Sequence, residues 1–233
     1  MNTIYKRELN AFFRSPVAYT VIGMFMVLTG LFFWIYNILS GSVYFGNTLN
    51  SISMFLIFFS PILTMRLLAE ERKNGTEVLL RTSPVSLWSI VLGKFLAAYT
   101  VFAIMVALTL VYPIIMSFFG TIPFAVTFGA YIGFLLAGAV FVAIGLFTSS
   151  VTENQIVAAV SGIVFLLILY FMQSIGATIG GVFGTILMWV SPLSRFSEFA
   201  NGIMNFASVI FYFSFTGVIL LITVMNLERK RWN

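Results

Sequence analysis

Residues 66–94 read RLLAEERKNGTEVLLRTSPVSLWSIVLGK. This stretch holds Arg66, Glu70, Glu71, Arg72, Lys73, Glu77, Arg81 and Lys94, eight of the nineteen charged residues in the chain. The sequence on either side is apolar over lengths that suit a bilayer crossing rather than a soluble core. A polar island between two such runs is where the chain leaves lipid for water and where a soluble partner can meet it.

The rest of the composition agrees. Of 233 residues, 61% are hydrophobic and 8% are charged, and the mean hydropathy is +1.07. Soluble domains carry about 25% charged residues, so most of this surface must face lipid. The expected fold class is an all-α membrane protein forming a single membrane domain over residues 1–233. The net charge of +5 comes from basic residues beside apolar runs. That is the placement of loop charge, and no nucleic-acid partner is expected. Cysteine and histidine are both absent, which removes disulfides, thiolate chemistry and the commonest general base and metal ligand. No catalytic residue and no metal site is expected.

Working outward from the island, residues 51–69 read as the span before it, with Pro61 inside, and 95–118 as the span after it, with Pro113 inside. Further spans are expected at 17–39, 128–147, 156–175 and 205–226, six in all. Ahead of the first, residues 2–14 (NTIYKRELNAFFR) have the pattern of an amphipathic helix lying in the interface. Ile4, Tyr5, Leu9, Phe12 and Phe13 share one side and Lys6, Arg7, Asn10 and Arg14 the other, while Glu8 is a misfit. Ser15-Pro16 then turns the chain into the bilayer. In the fourth span Gly129, Gly133 and Gly138 thin one face and suit close helix packing. Residues 176–204 are apolar but interrupted by Gly and by Ser191-Pro192. They read as a broken or re-entrant helix pair, shielded by protein, with Leu193, Phe196, Phe199 and Ile203 at helical spacing. Arg195 and Glu198, in the same outer region, stand at the i,i+3 spacing of a local ion pair.

With both termini cytoplasmic, eleven of the twelve Lys and Arg residues fall on the inner side and only Arg195 falls outside. That bias fixes the expected orientation. No ionisable residue is expected at mid-span, which speaks against an ion-coupled carrier. The chain has no GxxxxGK[ST] phosphate loop, so any work it does draws energy from a partner at the cytoplasmic face. The island can form a protruding helix–turn–helix. Gly75 would end the first helix in a left-handed cap and Thr76 would cap a short helix from Glu77. Val78, Leu79 and Leu80 would be its apolar knobs.

The run EERKNGTEVLLRTSPVSLWSIVLGK resembles the signature of ABC-2-type exporter permeases, in Glu70, Glu71, Arg72, Gly75, Thr76, Glu77, Leu79, Leu80, Ser83, Pro84, Ser86, Gly93 and Lys94. SPLSRFSEFANGI, the aromatic last span and LERKRW are similar to the branch containing gliding-motility and nitrous-oxide-reductase maturation permeases. That branch often carries an Asp where this chain has Asn205 to Ser208. The resemblance implies a permease subunit of an ATP-driven exporter or mechanotransmitting complex in the bacterial cytoplasmic membrane. It implies two P-loop ATPase subunits holding the ATP and Mg, a second permease chain forming a homo- or heterodimer, and in some members an extracytoplasmic membrane-anchored subunit. It implies no cofactor on this chain. It assigns ATPase coupling to a main element at Glu70, Glu71, Arg72, Lys73, Gly75, Thr76, Glu77, Val78, Leu79 and Leu80, and to a second contact around Glu153. The alternatives are a non-transporting membrane scaffold and a secondary carrier or channel.

Overall fold

A computed structural model describes residues 1–75 and 86–229. Thr76, Glu77, Val78, Leu79 and Leu80 of the expected coupling element, and the basic tail from Lys230, lie outside the described residues. Among those described, all regular structure is helical.

Helix α1 (Asn2–Arg14) buries Phe12 and packs Ile4, Tyr5, Leu9 and Phe13 on the bundle, while Lys6, Arg7, Asn10 and Arg14 are exposed. It stops where Ser15 turns extended, and Ser15 then caps α2 (Pro16–Phe33) by accepting the Val17 amide. Proline at the first helical position lacks only an N–H that would have had no partner. A π-helical turn, Trp34–Leu39, prolongs α2.

The segment before the island differs from the single span expected over 51–69. It is a bent pair, α3 (Gly46–Ser53) running into α4 (Leu56–Thr64) and α5 (Arg66–Lys73), with a 59° bend between α3 and the rest. At the bend the amides of Phe55, Ile57 and Phe58 bond three residues back instead of four. Ser53 Oγ also donates to Asn50 O at 2.6 Å, competing for a helix carbonyl. α3 is held away from the α4 axis because Gly46 lies directly against the backbone of Ala200. At Pro61, α4 packs instead against Gly145 and Gly162 of two later helices.

Helix α6 (Leu87–Leu108) begins eight residues ahead of the span expected at 95–118 and continues through α7 (Val111–Ser117). Its long neighbours are α8 (Phe124–Val151), α9 (Gln155–Ile179) and α12 (Phe206–Arg229). The most buried of them is α8, which packs against α4, α6, α9 and α12. Among the described residues, five helical segments are long and apolar enough to cross a membrane, and six if the bent pair is one span.

Between α9 and α12 the chain reverses at Gly180 and Gly181, both at positive φ, and α10 (Gly181–Val190) runs back along α9. Gly176 and Gly184 bring the two backbones into contact; a Cβ at Gly176 would lie 2.7 Å from Gly184 O. α11 (Pro192–Ala200) then buries Leu193, Phe196 and Phe199 against α8, but Ile203 is beyond its end and exposed. The expected shielding holds for α11 only. On α10 Val182 is 80% and Phe183 73% exposed. A helix satisfies its own backbone groups, so an apolar one needs no protein cover in lipid.

Candidate functional site at the charged end of the bundle

The start of α6 carries Gly93 and Lys94. Gly93 leaves room for α1, and a Cβ there would meet the Ile4 side chain at 3.1 Å. α1 is further fixed by a hydrogen bond of 3.1 Å between Tyr5 Oη and Thr100 Oγ1. This close approach brings Glu8 over Lys94. The misfit on the apolar side of α1 is therefore a ligand for a buried cation.

Lys94 is fully buried. Its Nζ lies 2.8 Å from Glu71 Oε1 on α5 and 3.1 Å from Glu8 Oε1 on α1, and donates to Leu67 O at 2.6 Å. From the rim, Arg7 Nη2 reaches Glu8 Oε1 and Glu71 Oε1, each at 2.6 Å. Two cations and two carboxylates thus alternate, each carboxylate between both cations. Three acceptors use the three N–H donors of the ammonium. Burial alone would raise the Glu8 carboxyl. Lys94 and Arg7 outweigh it and hold Glu8 below its ordinary value. Burial likewise pulls the Arg7 guanidinium down, but the pairs with Glu8 and Glu71 hold it above its ordinary value. Removing one member of such a buried set leaves an uncompensated charge at a cost of about 3–5 kcal/mol.

A second group of contacts ties α5 to the end of α8. Arg72 Nε lies 3.5 Å from Glu153 Oε1, and Arg72 Nη1 donates to Val151 O at 3.0 Å. Ser149 Oγ enters the break between α4 and α5. It accepts the amides of Leu68 and Ala69, both at 3.1 Å, and donates to Met65 O at 2.8 Å. One hydroxyl replaces the interrupted backbone ladder there. α12 joins the same end, with Asn226 Nδ2 donating to Ser150 Oγ at 2.9 Å. Of the described Lys and Arg residues, only Arg195 lies at the opposite end.

The sequence-derived site residues divide as follows. Glu71 and Arg72 are built into the bundle, while Glu70 and Lys73 are exposed on α5. Gly75 closes the helix at φ +69°, the left-handed conformation its position suggested. Glu153 is brought to Arg72, so the two segments with expected ATPase contacts adjoin. Gly129, Gly133 and Gly138 face Met204, Phe199 and Phe102 of the same chain. Arg195 and Glu198 form no direct ion pair. They share Ser208, whose Oγ donates to Glu198 Oε2 at 3.3 Å and accepts from Arg195 Nη1 at 3.4 Å. Sequence reasoning missed Glu8, Arg7 and Ser149 as site residues. Glu8 had given a signal, a charge on an otherwise apolar helix face; Ser149 gave none. Among the described residues no group of His, Cys, Asp and Glu could hold a metal ion.

Several helices long and apolar enough to cross a membrane, with charged residues gathered at one end around structural ion pairs, give the class of a multi-pass helical membrane protein. The comparison with protein families is specific. The model described as "ABC-2 family transporter protein" matches residues 3–181, 179 of the 233 in the chain, and the chain belongs to that family. A search among curated proteins finds no match. The family comprises membrane components of ABC transporters, which are generally not catalytic themselves and typically pair with an ABC ATPase.

Proposed function

We propose that this chain is the permease subunit of an ATP-driven exporter or mechanotransmitting complex of the gliding-motility and nitrous-oxide-reductase maturation branch. ATP and Mg are held by two copies of a separate P-loop ATPase. A second permease chain completes the membrane core, with an extracytoplasmic anchored subunit in some assemblies. Both termini and the charged end face the cytoplasm, since the Lys and Arg bias favours that side.

The observation that carries this reading is the Arg72–Glu153 pair. It joins two segments, far apart in sequence, that the family resemblance assigns to ATPase contact. A push on either one is delivered to α5 and α8 together. From α5 it reaches α1 and α6 through Glu71 and Lys94, and from α8 it reaches α12 through Ser150 and Asn226. The coupling element is Glu70, Glu71, Arg72, Lys73 and Gly75 with the segment Thr76 to Leu80, and Glu153 is the second contact.

The first test is to purify tagged chain from its native membrane and probe for an ATPase. Retention supports the reading, and its consistent absence overturns it. Gly75→Pro is the sharper probe, because proline cannot adopt a positive φ. It lowers complex-stimulated ATPase activity about tenfold or more while membrane insertion stays intact; unchanged coupling defeats the lever. Glu71→Arg is a poorer probe, since it would also set a third cation against Lys94 and Arg7.

A further inference from the structure

Arg195 is placed quite differently from Lys94. Its guanidinium carbon lies 4.8 Å from the Trp189 ring centroid and 4.3 Å from that of Phe211. Nη1 has the long bond to Ser208. Nε is buried without an acceptor, and Nη2 makes no hydrogen bond among the described residues. A permanently charged fork with five N–H donors is left with one weak acceptor. Glu198, the obvious counter-ion, is held on Ser208 instead.

The surroundings say what could complete it. Trp189, which touches Arg195, belongs to an open apolar face of α10: at helical spacing it shares that face with Ile186, Phe183 and Val182, each more than half exposed. A cation between aromatic rings at the edge of an apolar surface sits at headgroup depth. With Nε buried, the edge left for an outside acceptor is Nη1 and Nη2, and that edge of the planar fork matches two oxygens of a phosphate. We propose that Arg195, Trp189 and Phe211 form a binding site for the phosphate of one anionic phospholipid, whose acyl chains lie along the exposed face of α10. The aromatic faces fix the plane of the guanidinium and Ser208 keeps Glu198 from closing the site. This site needs only a bilayer, so it stands apart from the ATP-coupling reading.

The experiment is native mass spectrometry of the full chain in detergent, titrated with phosphatidylglycerol, with dioleoylglycerol and with inorganic phosphate. Wild type takes up one phosphatidylglycerol about tenfold more tightly than Arg195→Gln, the loss expected for a charge-assisted hydrogen-bonded contact. Arg195→Lys, which keeps the charge and loses the fork, falls between them and separates binding from folding. Glu198→Gln binds at least as tightly as wild type. Equal phosphatidylglycerol binding by wild type and Arg195→Gln overturns the proposal. So does dioleoylglycerol binding as tightly as phosphatidylglycerol. Inorganic phosphate binding as tightly as the lipid overturns the lipid assignment, and so does a dimer that excludes all lipid, which would place a second copy over the site.

Discussion

Lys94 and Arg195 are both cations set into an apolar helical bundle, at opposite ends, and their surroundings are opposite in kind. Lys94 has every donor met, by Glu71, Glu8 and Leu67 O. Arg195 has two aromatic faces and one long bond. A buried charge whose partners all come from its own chain works as a fastener, because nothing outside can reach it. A charge left short of partners beside an open apolar surface can recruit one. The same residue class thus does internal work at one end and external work at the other, and the partner inventory tells them apart.

The largest test of this contrast is stability. Lys94→Met leaves Glu8 and Glu71 facing one another with only Arg7 between them, and is expected to cost about 3–5 kcal/mol. Arg195→Ala loses two ring contacts worth about 0.5–1 kcal/mol each and should cost about 1–2 kcal/mol. Unfolding of the two purified variants measures both, and equal losses would erase the distinction. A smaller effect separates the serines that serve the two ends. Ser149→Ala strips two buried amides and a carbonyl of their partner, at about 1–3 kcal/mol. Ser208→Ala removes two long bonds and should cost about 0.5 kcal/mol. Hydrogen exchange at Leu68 and Ala69 checks the first, since faster exchange there is the specific sign; unchanged exchange would mean the hydroxyl is incidental.

The smallest effect is a pH dependence confined to the Lys94 end. Glu8 is held below its ordinary value of 4.5. Its contribution is therefore fully present above that value and is lost as pH falls through the lower, folded value. The melting temperature of the wild type in detergent should drop as the medium is acidified below about pH 4.5. Glu8→Gln should melt lower at neutral pH and show a shallower acid slope. A slope unaltered by Glu8→Gln would assign the acid sensitivity to other groups.

The sequence made much of this architecture legible, for reasons specific to each element. α1 ends where Ser15-Pro16 says it should, because capping and the missing proline N–H are local effects. Gly75 is left-handed because only glycine takes that conformation without strain. The bend between α3 and α4 was not legible. It has no glycine or proline at its corner and arises because distant residues, Ala200 on one side and Gly145 and Gly162 on the other, pull the two halves apart. The ion-pair set was half visible. Lys94 stood out as a motif position and Glu8 as an anomaly, but their meeting depends on Gly93 admitting Ile4, a contact across most of the first hundred residues. Arg195 and Glu198 were read from spacing as partners. Spacing carries no information about Ser208 or the two rings, which come from other segments.

The two backbones that touch at Gly176 and Gly184 set an evolutionary constraint. A methyl on either glycine would strike the carbonyl oxygen of the other residue, and backbone cannot be traded for something smaller. No compensating substitution exists for that pair, so both positions should stay glycine together across descendants of this sequence. Gly138 is obstructed by the side chain of Phe102 instead. That contact can be exchanged, a larger residue at 138 for a smaller one at 102. Correlated variation should therefore connect 102 with 138, while 176 and 184 show no variation at all.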